Sequence, residues 1–113
     1  MLAKRLDPTL AGSAPIFAAL GDDTRLRLVS RLSAGEPLSI TALASGAAVT
    51  RQAITKHLLV LEEAGLIHGV RQGRERLWEL QPKRLVAARR ALDVIERQWD
   101  SALGRLKDFV EQQ

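Results

Sequence analysis

One helix in the middle of the chain, residues 50–64, carries two faces of different chemistry. Ile54, Leu58 and Leu61 recur at helical spacing and should face a core. The opposite side presents hydrogen-bonding and cationic side chains, namely Arg51, Gln52, Thr55 and Lys56. Guanidinium and amide groups read base edges, and hydroxyl groups and cations hold phosphates. The pattern predicts a nucleic-acid-binding surface, with a merely solvated polar face as the simpler alternative.

The neighbouring segments place this helix in a helix-turn-helix. Thr50 is a suitable N-cap for it, and Gly65 supplies its C-terminal stop. A shorter helix at residues 41–45, capped by Ser39, precedes it, and residues 46–49 form the turn between the two. A helix, a short turn and a second helix with a polar outer face make up the helix-turn-helix arrangement.

Two β-prone runs, residues 66–71 and 76–80, follow the helix and predict a hairpin. Three arginines lie at or near its tip, namely Arg71, Arg74 and Arg76. A hairpin directly after a helix-turn-helix, with cations at its tip, is the wing of a winged helix. We therefore expect this wing, residues 67–80, to place its arginines beside the phosphates that flank the helix at 50–64.

The remaining residues, 82–113, predict one long helix with Pro82 in its first turn. An apolar stripe steps along it by threes and fours, through Leu85, Ala88, Leu92, Ile95, Trp99, Ala102, Leu106 and Phe109. Such a helix would be about 45 Å long, and the rest of the chain is too small to cover it. The surplus apolar face is therefore expected to pack against a second copy of the chain.

The 113 residues are expected to form one small domain in three parts. Residues 1–14 are expected to be a flexible arm, because Pro8, Gly12 and Pro15 interrupt any regular pattern. Residues 15–81 would form the winged helix-turn-helix core. Residues 82–113 would form a dimerisation helix that belongs to the same domain.

Composition narrows the class of protein. A net charge of +4 fits a polyanionic partner, and the absence of cysteine excludes disulfides and thiolate metal sites. No apolar run approaches the roughly 20 residues that cross a bilayer, and no secretory signal is visible, so a cytoplasmic protein away from the membrane is expected. Neither histidine has an evident acid partner, and no nucleotide-binding loop occurs. We expect neither an enzyme nor a cofactor.

Four segments together match one known pattern: residues 20–28, 38–44, 50–67 and 71–80. The most specific stretch is Thr50-Arg51-Gln52-Ala53-Ile54-Thr55-Lys56-His57-Leu58. The combination resembles the ArsR/SmtB-type winged-helix repressors of prokaryotes. The resemblance implies a mainly α fold with a small β-hairpin, a winged helix-turn-helix with long N- and C-terminal dimerisation helices. It also implies a homodimer that represses transcription by binding a palindromic operator in double-stranded DNA.

The pattern and the resemblance together give two sets of candidate residues. The expected DNA contacts are Thr50, Arg51, Gln52, Thr55, Lys56, His57, Arg71, Arg74 and Arg76. Among these, Arg51 and Gln52 are assigned to base edges, and Thr50, Thr55 and Lys56 to phosphates or mixed contacts. The expected dimer-interface residues are Ile16, Phe17, Leu20, Leu92, Ile95, Trp99, Leu103, Leu106 and Phe109.

The chain departs from the metal-sensing members of the family at two places. Ser39 and Thr41 stand where those members carry a pair of cysteines. The terminal helix has Asp93, Glu96 and Asp100 but no histidine. We therefore expect no metal site and assign the chain to the cysteine-free branch.

Three questions stay open in the sequence. His57 lies at the edge of the core face, so a hydrogen bond within the fold is as well supported as a phosphate contact. A ligand- or ion-responsive derepressor with an effector site at the dimer interface is an alternative function, with the effector itself unknown. A protein-interaction module that has lost DNA binding is another.

Overall fold

The computed structural model describes residues 6–112, which fold into helices around a small antiparallel sheet. This confirms the predicted mainly α fold with a hairpin. The elements are α1 (Pro8–Ala11), α2 (Ala14–Leu20), α3 (Asp23–Leu32), β1 (Leu38–Ser39), α4 (Ile40–Ala44), α5 (Arg51–Glu63), β2 (Ile67–Gln72), β3 (Glu75–Leu80) and α6 (Pro82–Glu111).

Side-chain caps mark the starts of α3, α4 and α5. The Asp22 carboxylate accepts a hydrogen bond from the Arg25 amide at 3.0 Å, and the Thr50 hydroxyl accepts one from the Ala53 amide at 3.1 Å. Ser39 caps α4 in the same way. These bonds satisfy amide groups that have no partner inside the helix. The predicted caps Ser39 and Thr50 are thereby confirmed, and α4 begins and ends one residue earlier than predicted.

Gly65 ends α5 in a left-handed conformation, with φ of +79°. The next amide, that of Leu66, then bonds back to the Leu61 carbonyl at 3.0 Å. This turn directs the chain from α5 into β2, as a glycine after a helix commonly does.

The sheet has the strand order β1-β3-β2. In the β2–β3 hairpin, Arg71 lies opposite Arg76, and Gly73 opens the tight turn with φ of +64°. β1 adds a short third strand, in which Leu38 pairs with Trp78 and Ser39 with Leu77. The wing at residues 67–80 is confirmed, and its base is attached to the start of α4.

The core lies between α2, α3, α5 and the sheet. Ile54, Leu58 and Leu61 form the inner face of α5 and are almost completely buried, as their spacing predicted. They pack with buried residues of the other elements, including Leu28, Leu32, Leu43, Leu66, Ile67 and Trp78. The core therefore holds the inner face of α5 and leaves its outer face free.

The N-terminal region differs from the prediction. Residues 8–11 form a helical turn rather than a flexible arm, and Ser13 is buried, with its hydroxyl donating to the Thr9 carbonyl at 2.9 Å. Pro8 is compatible with a first helical position because no helical hydrogen bond needs its missing amide proton, and Asp7 caps the turn. The arm's residues 1–5 lie outside the described part of the chain.

The long helix at residues 82–113 is confirmed as α6, 30 residues from Pro82 to Glu111. The N-terminal helices are short by comparison, at four and seven residues, because a glycine follows each of them. Ala88 and Ala91 are buried where α6 begins, but its later residues extend away from the body of the fold. The extents, with α6 included, are 68 × 27 × 27 Å. None of the helices within residues 6–112 is both long and apolar enough to cross a membrane.

Candidate nucleic-acid interface

The first two turns of α5 present the predicted polar face to solvent. Arg51, Gln52 and Lys56 are exposed and Thr55 is half-buried. The Thr50 oxygen is used as the helix cap, and Thr55 donates its hydroxyl proton to the Arg51 carbonyl at 3.1 Å. Among residues 6–112, neither cation has an acidic partner. Their charges are therefore available to a ligand.

A groove runs between α5 and the wing. It has a volume of about 270 Å³. Arg51 and Thr55 line one side, and Arg74 and Arg76 line the other. Arg51, one of the two base-edge candidates on α5, thus lies near two of the three wing arginines, Arg74 and Arg76. Thr41, in the first turn of α4, also lines the groove.

The wing arginines have different environments. Arg71, Arg74 and Arg76 surround a depression beside Gly69. The side chains of Arg71 and Arg74 are exposed and make no hydrogen bond or ion pair within the described chain. Arg76 instead reaches back to Glu62 at 3.2 Å and lies over the indole ring of Trp78, with the guanidinium carbon 4.4 Å from the ring centroid. Arg76 is therefore already bound within the fold.

His57 is also bound within the fold. Its Nδ1 lies 3.2 Å from Arg25 Nη1 and 3.8 Å from an Asp22 carboxylate oxygen. Because a guanidinium only donates, Nδ1 must accept, and the neutral ring then carries its proton on Nε2. Arg25 also donates to the Ala19 carbonyl at 2.6 Å, and so it links the end of α2 to the middle of α5. Any contact of His57 with DNA is left to Nε2.

Asp22 adds a negative charge beside His57 and Arg25. The hydrogen bond from the Arg25 amide, together with the positive charge of the Arg25 guanidinium, holds the pKa of the Asp22 carboxyl below its ordinary value. The carboxylate is therefore ionised at neutral pH, where it both caps α3 and faces the histidine of α5.

His68, to which the sequence assigned no role, forms a cross-strand pair in the wing. Its Nε2 lies 2.7 Å from a Glu79 carboxylate oxygen, while its buried Nδ1 has no hydrogen-bond partner among residues 6–112. His68 pairs with Glu79 in the register, and Glu79 is the neighbour of Trp78 in β3. Because neighbouring strand residues point to opposite faces, the pair lies on the other face of the hairpin from Trp78.

The expected dimer residues fall into two groups. Ile16 was expected at the interface, but it is 1% exposed and belongs to the core of a single protomer, because the inner side of α2 carries it beside Ala19. Phe17 and Leu20 are partly buried against the same core. The candidates on α6 are all largely exposed, namely Leu92, Ile95, Trp99, Leu103, Leu106 and Phe109.

The acidic residues of α6 do not form a metal-binding cluster within residues 6–112. Asp93, Glu96 and Asp100 are exposed, and none of them forms an ion pair within residues 6–112. In the same range, no three His, Cys, Asp or Glu side chains converge on a point that could hold a metal ion.

Sequence reasoning missed two residues at this site. Glu62, near the end of α5, contacts both strands of the wing, and Gly69 provides the space in which Arg76 crosses the hairpin. A glycine inside a strand often marks a close approach of another group, and Gly69 gave that signal. Nothing in the local pattern distinguished Glu62 from its neighbour Glu63.

Known proteins share this architecture. Residues 20–70 match a family model described as a helix-turn-helix domain. The HTH-type transcriptional regulator Rv2034 of Mycobacterium tuberculosis is 37% identical over 95 residues, which cover 84% of this chain and 85% of the relative. A solved ArsR-like transcriptional regulator from Rhodococcus sp. RHA1 is 36% identical with a TM-score of 0.76, covering 91% of this chain and 96% of that one.

A third comparison concerns the fold alone. The homodimeric winged helix-turn-helix DNA-binding domain Mb0332 of Mycobacterium bovis is 20% identical, with a TM-score of 0.61, and covers 88% of this chain and 91% of that one.

The fold and these matches define a transcriptional regulator with a winged helix-turn-helix DNA-binding domain. The chain belongs to the ArsR-type family, as its motifs indicated, and it carries no cysteine. Because the relatives are regulators, the expectation that the chain is not an enzyme is confirmed.

Proposed function

We propose that this protein is a homodimeric repressor that binds an inverted-repeat operator. The observation that carries the proposal is the groove in which Arg51 and Thr55 of α5 face Arg74 of the wing. A helix in the major groove needs cations on both sides of its base-reading residues, because DNA phosphates flank that groove. The arrangement of α5 and the wing meets this requirement.

The contacts divide by chemistry. Arg51 and Gln52, exposed in the first turn of α5, read base edges, where a bidentate contact discriminates by about 1–3 kcal/mol. Thr50, Thr55 and Lys56 make phosphate or mixed contacts beside them, and for a phosphate contact the Thr55 hydroxyl must turn away from the Arg51 carbonyl. Arg71 and Arg74 hold the phosphates under the wing, and His57 contributes through Nε2.

The dimer follows from the uncovered stripe on α6. Three of its large apolar side chains, Trp99, Leu106 and Phe109, are more than half exposed in a single chain. Helices with such a stripe associate along it, since burial of apolar surface is favourable. The M. bovis neighbour is homodimeric, which supports the same arrangement here. Phe17 and Leu20 of α2 would border the interface.

Symmetry then determines the form of the operator. Two copies of α5 related by a two-fold axis enter successive major grooves about 34 Å apart on one face of the duplex, so the DNA site is an inverted repeat. Occupation of such a site within a promoter blocks transcription. We place the protein in the prokaryotic cytoplasm, where that DNA lies.

The experiment is selection of duplexes from a random DNA pool by the purified protein. The selected duplexes are sequenced and then titrated at two salt concentrations. An enriched inverted repeat bound by two chains supports the proposal. Binding that depends steeply on salt without any enriched sequence would reject a sequence-specific repressor.

A further inference from the structure

The carboxylate of Glu62 connects α5 to the wing. Glu62 lies in the last turns of α5, and its Oε2 accepts a hydrogen bond from the Gly69 amide of β2 at 3.0 Å. Its two oxygens lie 3.2 and 3.3 Å from Arg76 Nη2 on β3. Glu62 therefore holds both strands of the hairpin. The guanidinium that it binds also lies over the Trp78 ring.

Gly69 makes this contact possible. A Cβ atom at this position would lie 2.3 Å from Arg76 Nε, which is closer than any real contact. Its backbone does not adopt a positive φ, so the local conformation does not require a glycine. The glycine is required by the arginine that crosses above it.

We propose that Arg76 is a wing-positioning residue, held by Glu62, Gly69 and Trp78, and that Arg71 and Arg74 supply the wing's phosphate contacts. The proposal rests on the DNA-binding function proposed above. The guanidinium of Arg76 contacts the Glu62 carboxylate and the indole ring. The side chains of Arg71 and Arg74 make no hydrogen bond or ion pair within the described chain. The bracket of Glu62, Gly69, Arg76 and Trp78 fixes the angle between the wing and α5. It therefore sets the distance between base contacts and wing phosphates.

The substitution Glu62→Gln separates positioning from simple attraction. Removing a negative charge near a polyanion should by itself tighten DNA binding. If Glu62 positions the wing, the same change should weaken binding about tenfold and lower the magnitude of the salt slope by about 1, because wing phosphates lose their partners. The matched control is Glu63→Gln, which removes the same charge from an exposed neighbour that binds nothing in the described chain.

Two further variants test the bracket from its other members. Arg76→Lys keeps the positive charge but loses the planar group that contacts Glu62 and the Trp78 ring. Gly69→Ala keeps every charge and displaces the Arg76 side chain. Both should reproduce the behaviour of Glu62→Gln. If Arg76 were a phosphate contact, Arg76→Lys would bind nearly as well as the wild type.

The measurement is affinity for the selected duplex across a salt series, with thermal unfolding to confirm that each variant folds. Fluorescence of Trp78 in a Trp99→Phe background reports the bracket without DNA, because the chain has two tryptophans and Arg76 lies over this one. Sedimentation is used to check whether this background still forms the proposed dimer. Emission should change in Glu62→Gln and Gly69→Ala and stay constant in Glu63→Gln.

The possible results lead to different conclusions. Glu62→Gln binding as tightly as Glu63→Gln, with Arg76→Lys like the wild type, would overturn the positioning role. A wild type that enriches no duplex would instead be a failure of the proposed function. In that case the emission decides whether the bracket exists, and constant emission in Glu62→Gln and Gly69→Ala would overturn it.

Discussion

Replacing Trp99 with alanine should separate the two protomers. Trp99 is 63% exposed in a single chain. A tryptophan offers roughly 200 Å² for burial, so about 130 Å² remains to be covered. At about 25 cal/mol per Å², covering it contributes about 3 kcal/mol in each protomer. A symmetric interface contains the residue twice, which gives an upper limit of about 6 kcal/mol per dimer.

We expect about half of this limit, about 3 kcal/mol, because association also orders the side chains at the interface. The dissociation constant of the dimer should therefore rise about a hundredfold. Sedimentation equilibrium over a concentration series measures this change. Val86→Ala is the control, since Val86 is 47% exposed on the opposite side of the same helix. A Trp99→Ala dimer as tight as the wild type would refute the interface.

Three other perturbations test the site and the fold. Arg51→Ala should relax base preference in a duplex selection, whereas Arg74→Ala should weaken all duplexes alike and reduce the salt slope by about 0.9; equal loss of specificity would contradict this division. Leu58→Ala, at a fully buried position, should cost about 2–5 kcal/mol in urea unfolding, while Leu59→Ala, 47% exposed, should cost less than about 0.5 kcal/mol. Asp22 has a lowered pKa, so its stabilising ionised form is lost as pH falls below about 4. Asp22→Asn should make the melting temperature less sensitive to acid, and an unchanged acid limb would contradict the assignment.

The helix-turn-helix and the wing were predictable because their signals are local. Caps such as Thr50 and stops such as Gly65 act within a few residues, and the inner face of α5 repeats at helical spacing. The exposed stripe of α6 was predictable for a different reason. A helix of 30 residues exceeds what so small a core can cover.

Other features depend on contacts that sequence spacing does not encode. Glu62 and Arg76 are 14 positions apart and belong to different kinds of element, so neither residue indicated the other. The inward orientation of Ile16 depends on how α2 docks on the core, which no local pattern determines. The helical turn at residues 8–11 differs from the prediction because proline, which interrupts the interior of a helix, is tolerated in its first turn.

Ser39 belongs to two elements at once, and this has a mechanical consequence. It pairs with Leu77 in the sheet, and its hydroxyl caps α4. The first helix of the helix-turn-helix therefore begins directly after a residue that is paired with the wing. We therefore expect the wing and the helix-turn-helix to approach DNA as one unit. Adjustment to a bent or unevenly spaced operator must then come from the glycine turn at the tip, or from movement of one protomer against the other.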